Sequence, residues 1–198
     1  MGYLVRVKAF VQKSCVDEKK AKQAILYICN RMSSSPGFCS TMLNKVLYYA
    51  DHIHYLKRGK TITGFGYIKQ RFGPTPKPAE FLRIRESLWR EKKLGEESVE
   101  FFGKIQKRPV VRRVDLANDV SCFSGEEVSD LEEVINAFSG ATGKMVSNLS
   151  HEELAWKLAD LMEDLPHHTC LLSEAQLEEN DLKWGRVQIE AHKSACLR

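Results

Sequence analysis

LNKVLYYADHIHYLKRGKTITGFGYIKQRFGPTP, residues 43–76, divides at Gly59 into an apolar helical half and a half punctuated by glycine and proline. In the first half, Met42, Leu43, Val46, Leu47, Tyr49, Ala50, Ile53 and Leu56 wrap more than half the circumference of a helix expected over 41–58. A helix apolar on so many sides belongs at the centre of a core. Ser40 is a credible N-cap, Lys57 and Arg58 suit the negative helix end, and Gly59 can take the left-handed position that closes it. Gly64, Gly66, Gly73, Pro74, Pro76 and Pro78 leave room in the second half for at most one short helical or extended piece, near Tyr67 to Arg71.

Working outward, Ala21, Ala24, Ile25 and Ile28 predict a helix over 17–32, ended by SSSPG at 33–37. PAEFLRIRESLWREKKLG predicts another, with Phe81, Leu82, Ile84 and Leu88 inward and Gly95 as its stop. The period then changes, and residues 98–114 favour a hairpin whose second strand Pro109 confines to an edge. Downstream, the boxes Ser124 with Glu127, Ser150 with Glu153 and Ser173 with Gln176 would open helices over 125–138, 151–163 and 174–195. The expected fold class is mainly α: a compact helical domain with a small β-hairpin, α+β in class. The expected organisation is an N-terminal extension over 1–16, the domain over 17–165, and a C-terminal helical extension over 166–198 packed on it.

The chain has 198 residues, a formal charge of +4, and is 43% hydrophobic and 28% charged. A chain of this length buries roughly 70% of its unfolded surface, enough for a core without metals or crosslinks. No apolar run approaches the ~20 residues of a membrane span, and residues 1–15 lack a secretion signal's continuous apolar region, so a cytoplasmic setting is expected. Six cysteines without a CxxC pair fit reduced thiols. Charge is polarised: residues 40–94 carry 12 Lys/Arg against 4 Asp/Glu, and residues 114–182 carry 2 against 16. Either the two stretches form opposed surfaces or they fold together and cancel.

Several catalytic patterns fail on one residue. His151-Glu152-Glu153-Leu154-Ala155 lacks the second imidazole of HExxH, and Gly140-Ala-Thr-Gly-Lys-Met lacks the Walker glycine and hydroxyl. His52 and His54 stand about 200° apart on one helix and cannot share a metal, and a loop pair such as His167-His168 is usually solvated. Trp156 suits core packing. Asp51, in the middle of the apolar helix, must face water or meet donors; a structural bond to a loop, a partner contact and a catalytic acid are the three readings. KRGK at 57–60 and KRPVVRR at 107–113 could meet phosphates, but no helix-turn-helix or aromatic RNA-binding strand accompanies them, and nucleic acid ranks second.

Residues 43–76 taken whole resemble the Panacea domain, the family of SocA-like antitoxins that includes many phage-associated proteins. Leu43, Lys45, Leu47, Tyr48, Ala50, Asp51, Gly59, Ile62, Thr63, Gly64, Tyr67, Gly73, Pro74 and Pro76 carry the resemblance, with Leu149-Ser150-His151 and Trp156 similar to a later element. The resemblance implies an antitoxin of a toxin–antitoxin system whose partner is a cognate protein toxin neutralised by direct binding, in some members by delivery to a protease as an adaptor. Oligomers would arise through the toxin complex. It transfers no catalytic, cofactor or metal residue. The partner-binding candidates are Tyr48, Asp51, Tyr55, Tyr67, Arg71 and Phe72, the last three presented to one side by a turn that Gly73-Pro74 would fix. The rival from another class is a hydrolase or nucleic-acid-modifying enzyme using Asp51 with His52, His54 or His151.

Overall fold

A computed structural model describes residues 15–172 and positions 179, 180, 183 and 187. In chain order it contains α1 (Glu18–Arg31), α2 (Ser40–Arg58), β1 (Tyr67–Gln70), β2 (Gly73–Pro76), α3 (Pro78–Arg90), β3 (Leu94–Phe101), β4 (Lys104–Val111), α4 (Val114–Ala117), α5 (Gly125–Phe138), α6 (Gly143–His151), α7 (Leu154–Leu158), β5 (Asp164–Leu165) and a 3₁₀ turn (His167–Leu171). The class is helical with small antiparallel sheets, as the sequence predicts. β1 is central in the sheet β2-β1-β5, and β3 and β4 form a separate ribbon.

α2 is the axis of the core. Met42, Leu43, Val46 and Leu47 are fully buried, and around them pack Ala24, Ile25 and Ile28 of α1, Phe81, Ile84 and Leu88 of α3, and Leu131 and Val134 of α5. Gly59 closes α2 in the left-handed region (φ 70°), its N–H donating to the Tyr55 carbonyl, as expected. The start differs. Cys39 is the cap residue and makes no side-chain bond, while Ser40 is already helical and its hydroxyl donates to the Lys107 carbonyl of the ribbon at 3.4 Å.

Other boundaries move for identifiable reasons. α3 ends at Arg90, with Lys92 at φ 54° making the turn, so Gly95 is not a helix stop. Gly95 lies instead in β3, where the Arg112 guanidinium occupies the space of a side chain. Leu82 is half exposed, whereas Phe81, Ile84 and Leu88 point inward. The ribbon runs 94–111, and the glycine–proline stretch holds two paired strands, Tyr67 opposite Pro76 through Gln70 opposite Gly73, where at most one was expected. Prolines 74 and 76 fit because β2 is an edge strand.

The box of Ser124 and Glu127 is present in both directions and opens α5 as expected. The second is not a box: Ser150 lies inside α6 and donates to the Ser147 carbonyl, and the expected helix over 151–163 is replaced by the end of α6 and the short α7. The third, at Ser173, and most of 174–195 lie outside the described residues, as do residues 1–14. The two charged stretches meet in part, with Lys57 on Asp130 at 2.8 Å, Arg58 on Glu126 at 3.2 Å and Lys77 on Asp164 at 2.7 Å.

Replacing Ser124 by Ala removes a cap bond that orients the acidic half, and it is expected to lower stability by about 1 kcal/mol and the melting temperature by about 2–4 °C, read by thermal denaturation.

Candidate functional site

The polar centre of the molecule is built on Asp51, which is fully buried in α2. Its Oδ1 accepts the backbone N–H groups of Ile62 (2.9 Å) and Thr63 (2.8 Å), and its Oδ2 accepts the hydroxyls of Thr63 and Tyr67, the latter at 2.7 Å. Burial pushes the carboxyl's pKa up, and the bonds from Thr63 and Tyr67 and the nearby His167 pull it back. Four donors on two oxygens saturate the group. Its role is the structural bond from helix to loop, and no acceptor position is left for a partner or a substrate proton.

One turn and a half earlier, Lys45 is equally buried and donates to the Pro74 carbonyl at 2.7 Å. Burial lowers its pKa to about 7, with Glu153 acting in the opposite sense. Gly73 sits directly above it at φ 97°, where a Cβ would come within 2.3 Å of the Ser150 hydroxyl and 2.6 Å of Lys45 Nζ. Glycine is therefore required both by backbone conformation and by space. Ser147 completes the grip, its hydroxyl donating to the Phe72 carbonyl at 3.0 Å. The hairpin turn is thus clamped from α2 and α6, and its two tip residues, Arg71 and Phe72, project into solvent with the guanidinium 5.7 Å from the ring centre; Phe72 is 62% exposed.

The remaining aromatic and imidazole groups form a seam beside this corner. Tyr48 is buried and donates to Glu153 at 2.6 Å, and its ring lies 3.9 Å from that of His52. His52 donates Nδ1–H to the Tyr48 carbonyl at 2.8 Å, and burial depresses its pKa to about 3. His167 is not solvated as a loop histidine would be: its ring packs 5.3 Å from His52, 5.9 Å from Tyr55 and 5.8 Å from Tyr67, while His168 stays exposed. His54 turns the other way and contacts Asp130 at 2.7 Å. His151 stacks on Trp156 at 3.9 Å, and Lys69 Nζ lies 4.1 Å above the indole. Trp156 is accordingly a half-buried clamp between β1 and α6 and not a core residue.

Of the six residues expected at a partner surface, Tyr48, Asp51 and Tyr67 are buried and hold the corner from inside. Their polar ends are engaged in internal bonds, which is why they are not available on the surface. Tyr55 is half-buried, and Arg71 and Phe72 are exposed. The imidazoles named for an enzymatic site do not converge: His52, His54 and His151 have three different sets of neighbours. Sequence reasoning missed Ser147 and Ser150 beneath the turn and Glu153 as the acceptor of Tyr48; the signal available was Lys45, a second polar group inside the apolar helix that, like Asp51, had to have a partner. Among the described residues, no group of three or more His, Cys, Asp or Glu is arranged to hold a metal ion, and no helix is long and apolar enough to cross a membrane.

The family model for SocA-like antitoxins, the Panacea domain, matches residues 43–157, from the first turn of α2 into α7. No curated protein and no solved structure matches the chain.

Asp51→Ala leaves two buried N–H groups and two hydroxyls without an acceptor, and a loss of about 3–5 kcal/mol is expected in urea unfolding, with Thr63→Val losing a smaller part, about 1–2 kcal/mol. Lys45 gives a pH signature of definite sign. Its pKa is lower folded than unfolded, so between about pH 7 and 9 the unfolded chain holds the extra proton and stability rises with pH, by at most about 1.4 kcal/mol per unit; Lys45→Met removes that slope.

Proposed function

Because this chain belongs to the SocA-like antitoxin family, the Panacea domain family, we propose that it neutralises a cognate toxin by stoichiometric protein–protein binding in the cytoplasm, through the corner bearing Arg71 and Phe72 with Tyr55 at its border. Residues 17–165 are the binding unit in this reading. The observation that carries it is the contrast between the two sides of one turn. On the inside, Lys45, Ser147 and the Asp51 cluster fix the backbone; on the outside, an arginine and a phenylalanine stand free on it. Preorganised Arg and aromatic side chains are what a protein interface uses as anchors, since little ordering entropy remains to be lost on binding.

Binding without turnover is supported by the state of the polar centre. A general acid or base must reach a substrate, and Asp51 is enclosed with all its acceptor positions occupied. An adaptor mode needs a second surface, and the β3–β4 ribbon offers one in Phe102 and Ile105, which are 86% and 78% exposed at its tip.

The test begins with the neighbouring reading frame, expressed alone and together with this chain. Growth arrest by the neighbour alone and rescue by co-expression are expected, and the purified proteins should form a complex. Arg71→Ala with Phe72→Ala is expected to weaken that complex by about 30-fold or more and to abolish rescue with the melting temperature unchanged. Full rescue and unchanged affinity in the double variant would show that the toxin binds elsewhere. Loss of toxin protein only when a protease is present, with Phe102→Ala preserving the complex but preventing that loss, would mark the adaptor mode.

A further inference from the structure

The β3–β4 ribbon has one covered edge and one open edge. β4 faces the body of the molecule: Arg108 donates to the carbonyls of Pro36 and Phe38, and the Lys107 carbonyl accepts from Ser40. β3 has β4 as its single strand neighbour among the described residues. Two markers set the phase of the ladder between them: Arg112 N–H donates to the Lys93 carbonyl at 2.8 Å, and Pro109, which has no N–H, stands opposite Glu96. Bonded and non-bonded pairs alternate in an antiparallel ladder. Gly95, Glu97, Val99 and Phe101 therefore bond to β4, while the N–H and C=O groups of Glu96, Ser98 and Glu100 point away from it. Ser98 and Glu100 are exposed. An open row of this kind is a template for another strand.

The open edge is acidic. β3, LGEESVEF, carries Glu96, Glu97 and Glu100 and no basic residue. Glu96 and Glu97 reach cations only at 3.4 to 3.5 Å, and Glu100 has no ion pair among the described residues. The β3 strand of a second copy would set glutamates against glutamates, whereas a basic strand would meet opposite charge. The chain itself holds such a segment. Residues 1–14, MGYLVRVKAFVQKS, contain Arg6, Lys8 and Lys13 and no acidic residue. Tyr3, Val5, Val7, Ala9 and Val11 alternate with positions that include Arg6 and Lys8, so one face is wholly apolar and the other carries charge, the period of a strand.

Reach and direction agree with that pairing. Asp17 N–H donates to the Thr63 carbonyl at 3.0 Å, which fixes where the segment joins the fold. Glu18 meets Arg83 at 2.7 Å and Lys22 meets Glu91 at 2.9 Å, so α1 runs beside α3 toward the point where β3 begins. From Cys15 to Lys22 the chain advances about 10 Å at a helical rise, and four extended residues span about 13 Å. Residues 11–14 are therefore long enough to bring residue 10 beside Leu94, and residues 3–10 match β3 in length. Traced back from Cys15, the segment follows β3 forward, which makes the two antiparallel. We propose that residues 3–10 add to the outer edge of β3 as a third, antiparallel strand, with Arg6 and Lys8 set against its glutamates. This goes beyond the toxin-binding reading and does not depend on it.

Hydrogen exchange of the full-length protein, read residue by residue by NMR, tests the third strand. The amides of Ser98 and Glu100 report the outer edge, and those of Glu97 and Val99, bonded to β4, are the internal reference. In the wild-type protein Ser98 and Glu100 are expected to exchange about tenfold or more slowly than free chain, independently of protein concentration. Arg6→Glu with Lys8→Glu is expected to speed exchange at Ser98 about tenfold with Glu97 and Val99 unchanged, and adding Glu97→Lys with Glu100→Lys to restore its protection. Should the fourfold variant melt below the wild type, Val7→Pro takes its place; it keeps every charge, disrupts the strand, and is expected to release Ser98 and Glu100 alone. Free-chain exchange at these amides in the wild type, protection that grows with concentration, no release in the charge-reversed or proline variant, or a stably folded fourfold variant without restored protection would each overturn the pairing.

Discussion

A carboxylate buried at the centre of α2 is the constraint around which the rest of the structure is arranged. A carboxyl group with no access to water is tolerable only if its oxygens find partners, and Asp51 finds two amides and two hydroxyls within the next sixteen residues of chain. That requirement brings Ile62 and Thr63 back against the helix they have just left and turns Tyr67 inward. Once Tyr67 is fixed, β1 has its register, and Leu165 of β5 pairs opposite it. A strand of four residues would have little stability of its own. Here one of its side chains is tied to the core helix, so the sheet inherits the rigidity of the helix.

Lys45 and Gly73 extend the same logic to the far end of the hairpin. The ammonium reaches the Pro74 carbonyl, and the missing side chain at Gly73 is what lets it arrive together with the Ser150 hydroxyl. Each charge buried in α2 is thus matched to backbone in the glycine–proline stretch, one at its beginning and one at its end. The consequence for function is geometric. Between these fixed points the chain has no freedom except at the tip, where Arg71 and Phe72 emerge.

This division explains how much could be read in advance. The apolar wrap of α2, its closure at Gly59 and the box at Ser124 are local signals, and they stand as read. So does the need of Asp51 for donors, because the cost of an unpaired buried charge depends on no distant residue. What local pattern could not supply was direction. Tyr48, Tyr67 and Phe72 all look like anchors in the sequence; whether a ring faces the core or the solvent was decided by Glu153, Asp51 and Ser147, the first and last lying about 75 to 105 residues further along the chain. The same applies to Ser150, which has the spacing of a cap but is drawn into α6 beneath Gly73. Pro74 and Pro76 argued against paired strands until the pairing proved to place them on an edge.

The corner and the 3₁₀ turn differ in how their polar atoms are matched. At the corner Asp51, Lys45 and Ser147 each bond to backbone of the glycine–proline stretch, which holds the turn beneath the tip in place. At the 3₁₀ turn the backbone bonds of Thr169 and Leu172 run within the turn, His52 Nε2 and His167 Nδ1 are buried without partners, and Leu171 and Leu172 face water. Unmet preferences of this kind leave an element less firmly held than one whose polar groups are bonded to its neighbours. Both elements meet on α2: the helix that holds Asp51 and Lys45 against the glycine–proline stretch on one side presents His52 and Tyr55 to the ring of His167 on another, so one helix organises both the corner and the turn that covers its neighbouring face.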